Sequence, residues 1–390
     1  MKKVSYIIAA ATIAVLGSCQ ESGETDSVEE KDNAFESIAS TFISNTLAPT
    51  YTALADYSCE LANAIGSFRQ SPTQAGLDSV CDLFLKARAE WEKSEAFLFG
   101  PASDFGIDPH IDSWPLDEDA FMRLMADKAI LGSLDSEEGD VYAGNQLGNT
   151  LLGFHGIEYI IFKDGAPKDF NRISELEMVY IQAVAGDLRN HTWQLEVSWI
   201  GNDAAEEHVE RVEELELNCT VNGSDATYAD NLLGAGKAGS TFRSWTGAIQ
   251  YIIQGCIDIA DEVGSSKIGK PFSGQDITYI ESPYSYRSIE DFYNNIISIK
   301  NVYLGGVEGK RNQSASLHAW VAKENRELDS KVTAAIDNAL TQIGTGQDDA
   351  GQGMVFPFVL NCKDKSVEEA INACTGLVSA LEELIDAVAE

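Results

Sequence analysis

Apolar residues recur at the spacing of an α-helix through most of this chain, and this pattern limits its fold more than any other feature. Phe35, Ile38 and Phe42 begin the first apolar stripe, which Pro49 is expected to kink or break. Further helical patterns lie at 72–98, 116–126, 148–162, 175–200, 204–217, 240–263, 289–304, 314–343 and 367–389. Strand patterns are confined to 277–280 and 355–360. The sequence therefore predicts an all-α fold.

A polar, glycine-bearing segment at 218–239 interrupts the helical patterns and is the predicted connection between two domains. The chain has 390 residues, which is enough for about two domains. The helices on either side predict two helical bundles, at 34–217 and 218–390. Segments 94–100 and 298–305 each end in an aromatic-rich turn and a glycine. This short similarity suggests that the halves arose by duplication.

The first residues are typical of a targeting signal rather than of a folded domain. Lys2 and Lys3 precede an apolar run at 4–16, and a small-residue cleavage site then ends in Cys19. This order predicts a bacterial lipoprotein signal peptide at 1–19, with Cys19 as the lipidated residue. Residues 20–33 are acidic and polar, which predicts a flexible tether. We therefore expect a lipid-anchored protein of the cell envelope that contacts the membrane only through its anchor.

The charge of the chain excludes one class of partner. It has 27 basic and 62 acidic side chains, which give a net charge of -35. Such a chain repels the phosphates of nucleic acids, so nucleic acid is not an expected partner, whereas cations and basic partners are favoured. Because the charge is spread along the chain, a solvated acidic surface is the simpler explanation of it.

One apolar segment contains two side chains that could act together on a ligand. Within Gly153-Phe154-His155-Gly156-Ile157-Glu158, the imidazole and the carboxylate are three residues apart and would project from the same helix face. The apolar flanks predict that this helix is buried, and burying such a pair without partners is costly. Two interpretations follow: a hydrogen-bonded structural pair, or half of a metal or substrate site.

The remaining histidines give weaker signals. His110 lies in the turn-rich segment 101–115, which also contains ligand-type carboxylates, although an exposed loop histidine is the simpler interpretation. His208 lies between glutamates and is predicted on a solvated helix face. His191 and His318 lie in amphipathic helices without an obvious carboxylate partner.

Several catalytic and nucleotide-binding motifs can be rejected. Residues 234–239 fit G-x-G-x-x-G, but no strand precedes them and no βαβ alternation surrounds them. The chain contains neither H-E-x-x-H nor G-x-S-x-G. Zincin-type and α/β-hydrolase chemistry therefore have no support from a motif.

Three blocks of the sequence, at 91–117, 153–162 and 282–306, together resemble the imelysin family, the insulin-cleaving membrane protease group that also includes iron-regulated envelope proteins. The blocks include WEKSEAFLFGPASDFGIDPHIDSWPLD and the Gly-x-His-x-x-Glu motif. The resemblance implies two four-helix-bundle-like halves with the motif near a groove between them. It also implies an outer-membrane lipoprotein that is linked to iron uptake.

The resemblance also implies candidate site residues. His155 and Glu158 would supply two metal ligands, and Glu95 and Asp112 are the candidates to complete the set. In a peptidase, Glu158 would be the catalytic base. Residues implied to line the groove are Trp91, Trp114, Tyr286, Asn294, Asn295 and Tyr303.

Three functions are consistent with these residues. The first is a lipoprotein that binds a metal, with iron as the best match to mixed histidine and carboxylate ligands, or a small metal-bearing ligand. Because the imidazole must be neutral to bind, its affinity should fall below about pH 6.5. The second is an imelysin-type metallopeptidase, which would bind zinc and a peptide. The third is a non-catalytic protein that recognises a partner or a glycan.

Overall fold

The structure, a computed structural model, describes residues 21–346 and 352–389, with side chains from Val28 onward. The predicted signal peptide and Cys19 lie outside these residues. Within the described part, no helix is both long and apolar enough to span a membrane.

The chain begins with a long, nearly continuous helical stretch. Helix α1 (Glu21–Thr41) runs into a π-helical turn (Phe42–Leu47) and then into α2 (Ala48–Gln70). Pro49 lies in the first turn of α2, so the chain stays helical where the proline predicted a kink or a break. Residues 21–33, predicted to be a flexible tether, are also helical here, and Glu30 pairs with Lys323 at 2.9 Å.

The N-terminal half is built around four helices that close a ring. Helix α2 packs against both α3 (Gln74–Glu92) and α10 (Glu175–Ile200), and the short α9 (Gly153–Ile161) contacts both of them from the other side. The remaining helices are α4 (Pro101–Asp104), α5 (Ile107–Ile111), α6 (Glu118–Ala126), α7 (Lys128–Leu134), α8 (Gly139–Gln146) and α11 (Glu206–Glu214). Helix α10 is buried on nearly all sides, which fits its position in the middle of this half.

The C-terminal half has a similar ring. Helix α13 (Trp245–Asp261) contacts α15 (Ser288–Tyr303) and α19 (Lys365–Ala389), and α17 (Arg326–Ile343) packs between α15 and α19. The shorter helices after residue 218 are α12 (Tyr228–Leu233), α14 (Gly269–Ser273), α16 (Leu317–Glu324) and α18 (Phe358–Asn361), of which α12 packs on α1 and α10. The fold is therefore all-α with two four-helix-bundle-like halves, and a duplication remains a prediction.

The two halves pack directly against each other. Helix α3 of the first half contacts α15 of the second, and α1 contacts α13. One apolar core runs through both halves, because its buried residues come from α2 and α3 as well as from α13, α17 and α19. The predicted boundary near residue 218 thus divides two bundles that share a core.

Irregular segments differ most from the sequence predictions. The predicted strands at 277–280 and 355–360 are not strands. The strands of the described residues are instead β1 (Phe162–Lys163) and β2 (Ala166–Pro167), which form a two-residue antiparallel pair after α9. The segment 101–115, predicted to have no regular element, contains α4 and α5. These short helices carry the side chains that face the site described next.

Candidate functional site

Two glycines of the Gly-x-His-x-x-Glu motif allow α9 to approach its neighbours closely. Gly153 has φ +64°, and a Cβ there would lie 2.7 Å from the carbonyl oxygen of His110 and closer still to that of Ile111. A Cβ on Gly156 would overlap the hydroxyl of Tyr180. Glycine is therefore needed at both positions, and the start of α9 is held against the end of α5. This contact brings the motif histidine to Asp112, the residue that follows α5.

His155 lies between two carboxylates in the interior of the protein. Its Nε2 is 2.9 Å from Oδ1 of Asp112, and its Nδ1 is 3.5 Å from Oε2 of Glu158. Burial disfavours the charged imidazole, but the contacts with these two carboxylates outweigh burial and raise the pKa of His155 to about 9. The histidine is therefore an imidazolium at neutral pH in the metal-free protein.

Glu158 links α9 to the C-terminal half. Its Oε1 accepts hydrogen bonds from the backbone N–H of Tyr284 at 3.1 Å and of Ser285 at 2.8 Å, and from the Ser285 hydroxyl at 2.7 Å. Its Oε2 has no hydrogen-bond partner among the described residues. The carboxylate is thus fixed on one side by three donors and faces His155 on the other.

Asp112 is the most heavily supported carboxylate of the site. It forms a buried ion pair with Arg88, and it also accepts a hydrogen bond of 2.8 Å from Nε1 of Trp91. Burial favours the neutral acid, yet Arg88 and His155 overcome this effect and hold the pKa of Asp112 well below its usual range. Asp112 is therefore ionised and held in a fixed orientation.

Arg88, on α3, connects carboxylates from both halves of the protein. Its Nη2 is 2.5 Å from Oε1 of Glu92 and 2.5 Å from Oε1 of Glu281, and its Nε is 3.6 Å from Asp291. Glu281 and Asp291 belong to the second half. Since all four side chains are buried, removal of the guanidinium would leave several charges without a counter-charge.

Lys267 is the second buried cation, and it follows α13 at the end of a π-helical turn (Glu262–Lys267). Its Nζ lies 3.2 Å from Glu95, 3.2 Å from Glu281 and 3.6 Å from Glu92. The ammonium also lies over the ring of Trp114, 5.3 Å from its centroid. Lys267 thus occupies the centre of a set of carboxylates that could otherwise hold a cation.

Carboxylates outnumber cations in this cluster, and this excess lowers the tendency of each carboxyl group to ionise. Burial raises the pKa of Glu281 to about 7, and it raises those of Glu95 and Asp291 well above their ordinary values. Oε2 of Glu281 is buried and has no hydrogen-bond partner in the described part of the chain. A buried carboxylate oxygen that has no hydrogen-bond partner, in a cluster rich in carboxylates, suits a cation.

A pocket of about 420 Å³ opens beside this cluster. Side chains from both sides of residue 218 line it, and five of them are carboxylates: Glu95, Asp108, Asp112, Asp258 and Glu262. Burial and the charge of Asp112 raise the pKa of Asp108 to about 7. With these five acidic side chains in its lining, the pocket gives solvent access to part of the charged cluster.

Three sets of side chains in the cluster have the spacing of metal ligands, because in each set one ligand atom per residue lies within 4.8 Å of the others. The sets are Glu92, Glu95 and Asp112; Asp112, His155 and Glu281; and Glu92, Glu281 and Asp291. The first set has two members that line the pocket, Glu95 and Asp112, the second has only Asp112, and the third has none.

The four predicted metal ligands lie in one cluster, but only two of them face the pocket. Glu95 and Asp112 face the pocket, whereas His155 lies behind Asp112 and Glu158 lies behind His155. Residues that the sequence analysis missed are Arg88, Glu92, Lys267, Glu281 and Asp291. The sequence of α3 does indicate a buried ion pair, because Arg88 and Glu92 are four residues apart on the apolar stripe that also holds Trp91.

The six predicted groove residues have different positions. Trp114 lines the pocket. Trp91 and Asn295 are buried and donate to Asp112 and Glu92, the latter at 2.6 Å. The others do not line the pocket: Asn294 is buried on α15, Tyr286 packs near Phe356, and the Tyr303 hydroxyl donates to Asp329 at 2.8 Å.

Comparisons with known proteins agree with this fold. The family model described as Imelysin matches residues 47–388. Iron-regulated protein A of Synechococcus elongatus is 28% identical over 264 residues, which are 68% of this chain. The match spans 63% of that relative's length.

Two solved structures resemble most of the chain. One is a putative iron-regulated protein A precursor from Parabacteroides distasonis, with a TM-score of 0.75 and 26% identity over 91% of this chain and 95% of that one. The other is an imelysin-like protein from Psychrobacter arcticum, with a TM-score of 0.66 over 92% of this chain and 96% of that one. At 12% identity, the second supports the fold alone. On the family match across 47–388, the chain belongs to the imelysin family.

Proposed function

We propose that this protein binds a metal cation at the wall of the acidic pocket, through Glu92, Glu95 and Asp112. The observation that carries the proposal is the spacing of their oxygen atoms, which lie within 4.8 Å of one another, together with the exposure of two of them to the pocket. A metal can reach this set from solvent. The five carboxylates that line the pocket would concentrate cations at its entrance.

Iron is the first metal to test. Three carboxylates are hard oxygen ligands. Such ligands suit iron and manganese better than they suit metals that prefer sulfur ligands. Two relatives carry names that refer to regulation by iron, and this supports the same choice. The pocket also has room for a small ligand that carries the metal.

In this proposal His155 and Glu158 are positioning residues rather than ligands. His155 contacts the same Oδ1 of Asp112 that pairs with Arg88, and Glu158 holds the imidazole from behind. Such outer contacts fix the direction in which a ligand carboxylate points. Neither residue lines the pocket.

The metallopeptidase alternative has less support from this geometry. A hydrolytic site needs a base that can reach a water on the metal. Glu158 would be that base, but three donors from the segment around Ser285 hold one of its oxygens, and the side chain is fully buried. We therefore place metal binding first.

Titration calorimetry with Fe²⁺ under anaerobic conditions, and with Mn²⁺ as an air-stable probe, tests the proposal. Glu95→Gln and Asp112→Asn should each weaken binding at least about tenfold, because each removes a carboxyl group from the ligand set. Asp258→Asn is the matched control, since it removes a pocket carboxylate outside the set and should change affinity far less. Equal effects of all three variants, or no stoichiometric binding to the wild type, would contradict the proposal.

A variant of Lys267 provides a second test in the same titration. Its ammonium lies between Glu95 and Glu92, so an arriving cation must compete with it. Lys267→Met should therefore bind Mn²⁺ more tightly than the wild type, provided that circular dichroism shows a native helix content. Weaker binding by a folded Lys267→Met protein would show that the lysine assists the ligand instead.

We also propose that the protein acts in iron uptake as an outer-membrane lipoprotein anchored through Cys19. The signal-like sequence at 1–19 supports this location. Cys19→Ala should release the protein from the membrane fraction, and retention there would contradict the anchor.

A further inference from the structure

A second group of metal-binding side chains lies in the N-terminal half, outside the acidic pocket. His110, at the end of α5, meets Asp187 and His191, which are four residues apart on α10. Nδ1 of His110 is 3.5 Å from Oδ2 of Asp187, and Nδ1 of His191 is 3.0 Å from Oδ1. One ligand atom from each residue lies within 4.8 Å of the other two.

We propose that His110, Asp187 and His191 form a separate site for a divalent transition metal such as zinc. Two imidazoles and one carboxylate are a ligand set that borderline metals prefer to hard cations. This inference goes beyond the proposed function, because it shares no ligand with the carboxylate set at the pocket.

The burial of the three side chains suits an ion that enters from solvent. Asp187 is 3% exposed, whereas His110 and His191 are 23% and 15% exposed. The carboxylate therefore lies at the base of the site, and the two imidazoles lie nearer to solvent.

The two imidazole rings are stacked, with centroids 4.1 Å apart and an interplanar angle of 24°. The stacking therefore holds both imidazoles beside the same carboxylate, where a metal could contact all three side chains.

The adjacent helix α8 leaves space for this group at a glycine. A Cβ on Gly144 would overlap the carboxylate of Asp187 and lie 3.6 Å from Cε1 of His191. Because α8 packs along α10, any larger residue at this position would push Asp187 out of line with the histidines. The close packing keeps the three ligands together before a metal arrives.

The chain has only five histidines, so each imidazole can be followed separately by NMR with ¹⁵N-labelled histidine. Addition of Zn²⁺ should shift the ring nitrogen signals of His110 and His191 together and leave those of His208 and His318 in place. A shift of His155 would report on the acidic pocket and not on this site.

His110→Ala and His191→Ala should each lower the zinc affinity seen at the remaining histidine at least about tenfold, because each removes one of three ligands. His318→Ala is the matched control: it removes an imidazole that pairs with a single carboxylate, Asp329, at 2.6 Å. If His191→Ala does not fold, the more exposed His110→Ala decides the question. Unmoved His110 and His191 signals, or an equal loss in His318→Ala, would overturn the inference.

Discussion

Asp112 combines a fixed position with a full charge, although it is buried. Arg88, Trp91 and His155 all contact its two oxygens. The same contacts that orient the carboxylate also keep it ionised, so a metal would meet a ligand that needs neither to turn nor to lose a proton. The proton whose loss would weaken these contacts is the one on His155.

The metal-free protein should lose stability in alkaline solution because of His155. The pKa of His155 is about 9 in the folded protein and 6.5 without its neighbours. Its contribution is therefore complete below about pH 6.5 and lost as the pH rises through about 9, with an amplitude on the order of 3 kcal/mol. Urea unfolding in the presence of a chelator, at pH 6 and at pH 9.5, measures this loss. A His155→Gln protein with an unchanged pH dependence would refute the assignment.

This pKa also changes one expectation from the sequence. An ordinary imidazole would impede metal binding only below about pH 6.5. An imidazole with a pKa of about 9 is still protonated at neutral pH, so His155 is a poor ligand there. It is better suited to hold Asp112 as a hydrogen-bond donor.

Arg88→Met should destabilise the protein by about 3–5 kcal/mol, because the change keeps most of the side-chain volume but leaves buried carboxylates unpaired. Arg69→Met is the matched control. Arg69 pairs at 2.7 Å with Asp135 and at 2.9 Å with Glu175, both more than half exposed, and its loss should cost less than about 1 kcal/mol. Both values come from urea unfolding monitored by circular dichroism. Similar losses in the two variants would mean that the buried network contributes little.

At the scale of the element, α9 is the helix whose position decides the geometry of the site. It is only nine residues long, and its approach to the end of α5 depends on Gly153. Without that approach, His155 would not reach Asp112. A short helix thus gains its fixed position from backbone packing rather than from its own helical propensity.

Gly153→Ala should therefore destabilise the protein by at least about 2 kcal/mol, since the new Cβ meets backbone at a positive φ. Gly132→Ala on α7 is the control, because a Cβ there has no neighbour within 4 Å and should stabilise by about 0.5–1 kcal/mol. Thermal unfolding of the two variants provides the comparison. A Gly153→Ala protein as stable as the wild type would show that α9 can move away from α5 at little cost.

The sequence predicted the long helices well and the short ones poorly. Helix α10 matches the predicted 175–200, because a serine cap begins it and a glycine ends it. Helices α7, α8 and α12 were missed, since six to eight residues carry too little periodicity to stand out. Tertiary contacts stabilise these short elements, and such contacts cannot be read from local spacing.

The same limit applies to single residues of the candidate site. His208 was predicted on a solvated face, but it is buried, pairs with Glu196 at 2.7 Å and stacks on Trp193. Asp112, which contacts His155, was named only through the resemblance to a family, because it comes from a different element and local spacing does not connect the two. Contacts between residues far apart in the chain depend on how helices pack, which periodicity does not specify.

For the whole molecule, the buried charges connect the two halves. Arg88 pairs with Glu281, Lys267 pairs with Glu95, and Asn295 donates to Glu92. Each half therefore holds buried charges that the other half helps to neutralise. The predicted boundary near residue 218 separates two bundles in sequence, but these contacts predict that they unfold together.

A fragment of residues 34–217 should accordingly not fold on its own, because Arg88 would lose its pairing with Glu281, Glu95 would lose Lys267, and α3 would lose its contact with α15. Thermal circular dichroism should show a broad, non-cooperative change for the fragment and a single transition for the full chain. A sharp transition in the isolated fragment would establish an independent domain and contradict this expectation.

The distance in sequence between Arg88 and Glu281 has a consequence for protein synthesis. The two residues are 193 positions apart. At typical rates of about 5–20 residues per second, Arg88 leaves the ribosome roughly 10 to 40 s before its partner. During that interval α3 cannot bury its charged side at low cost, so the nascent first half should remain open to chaperones. The same delay would keep the chain loose enough for the export that its proposed envelope location requires.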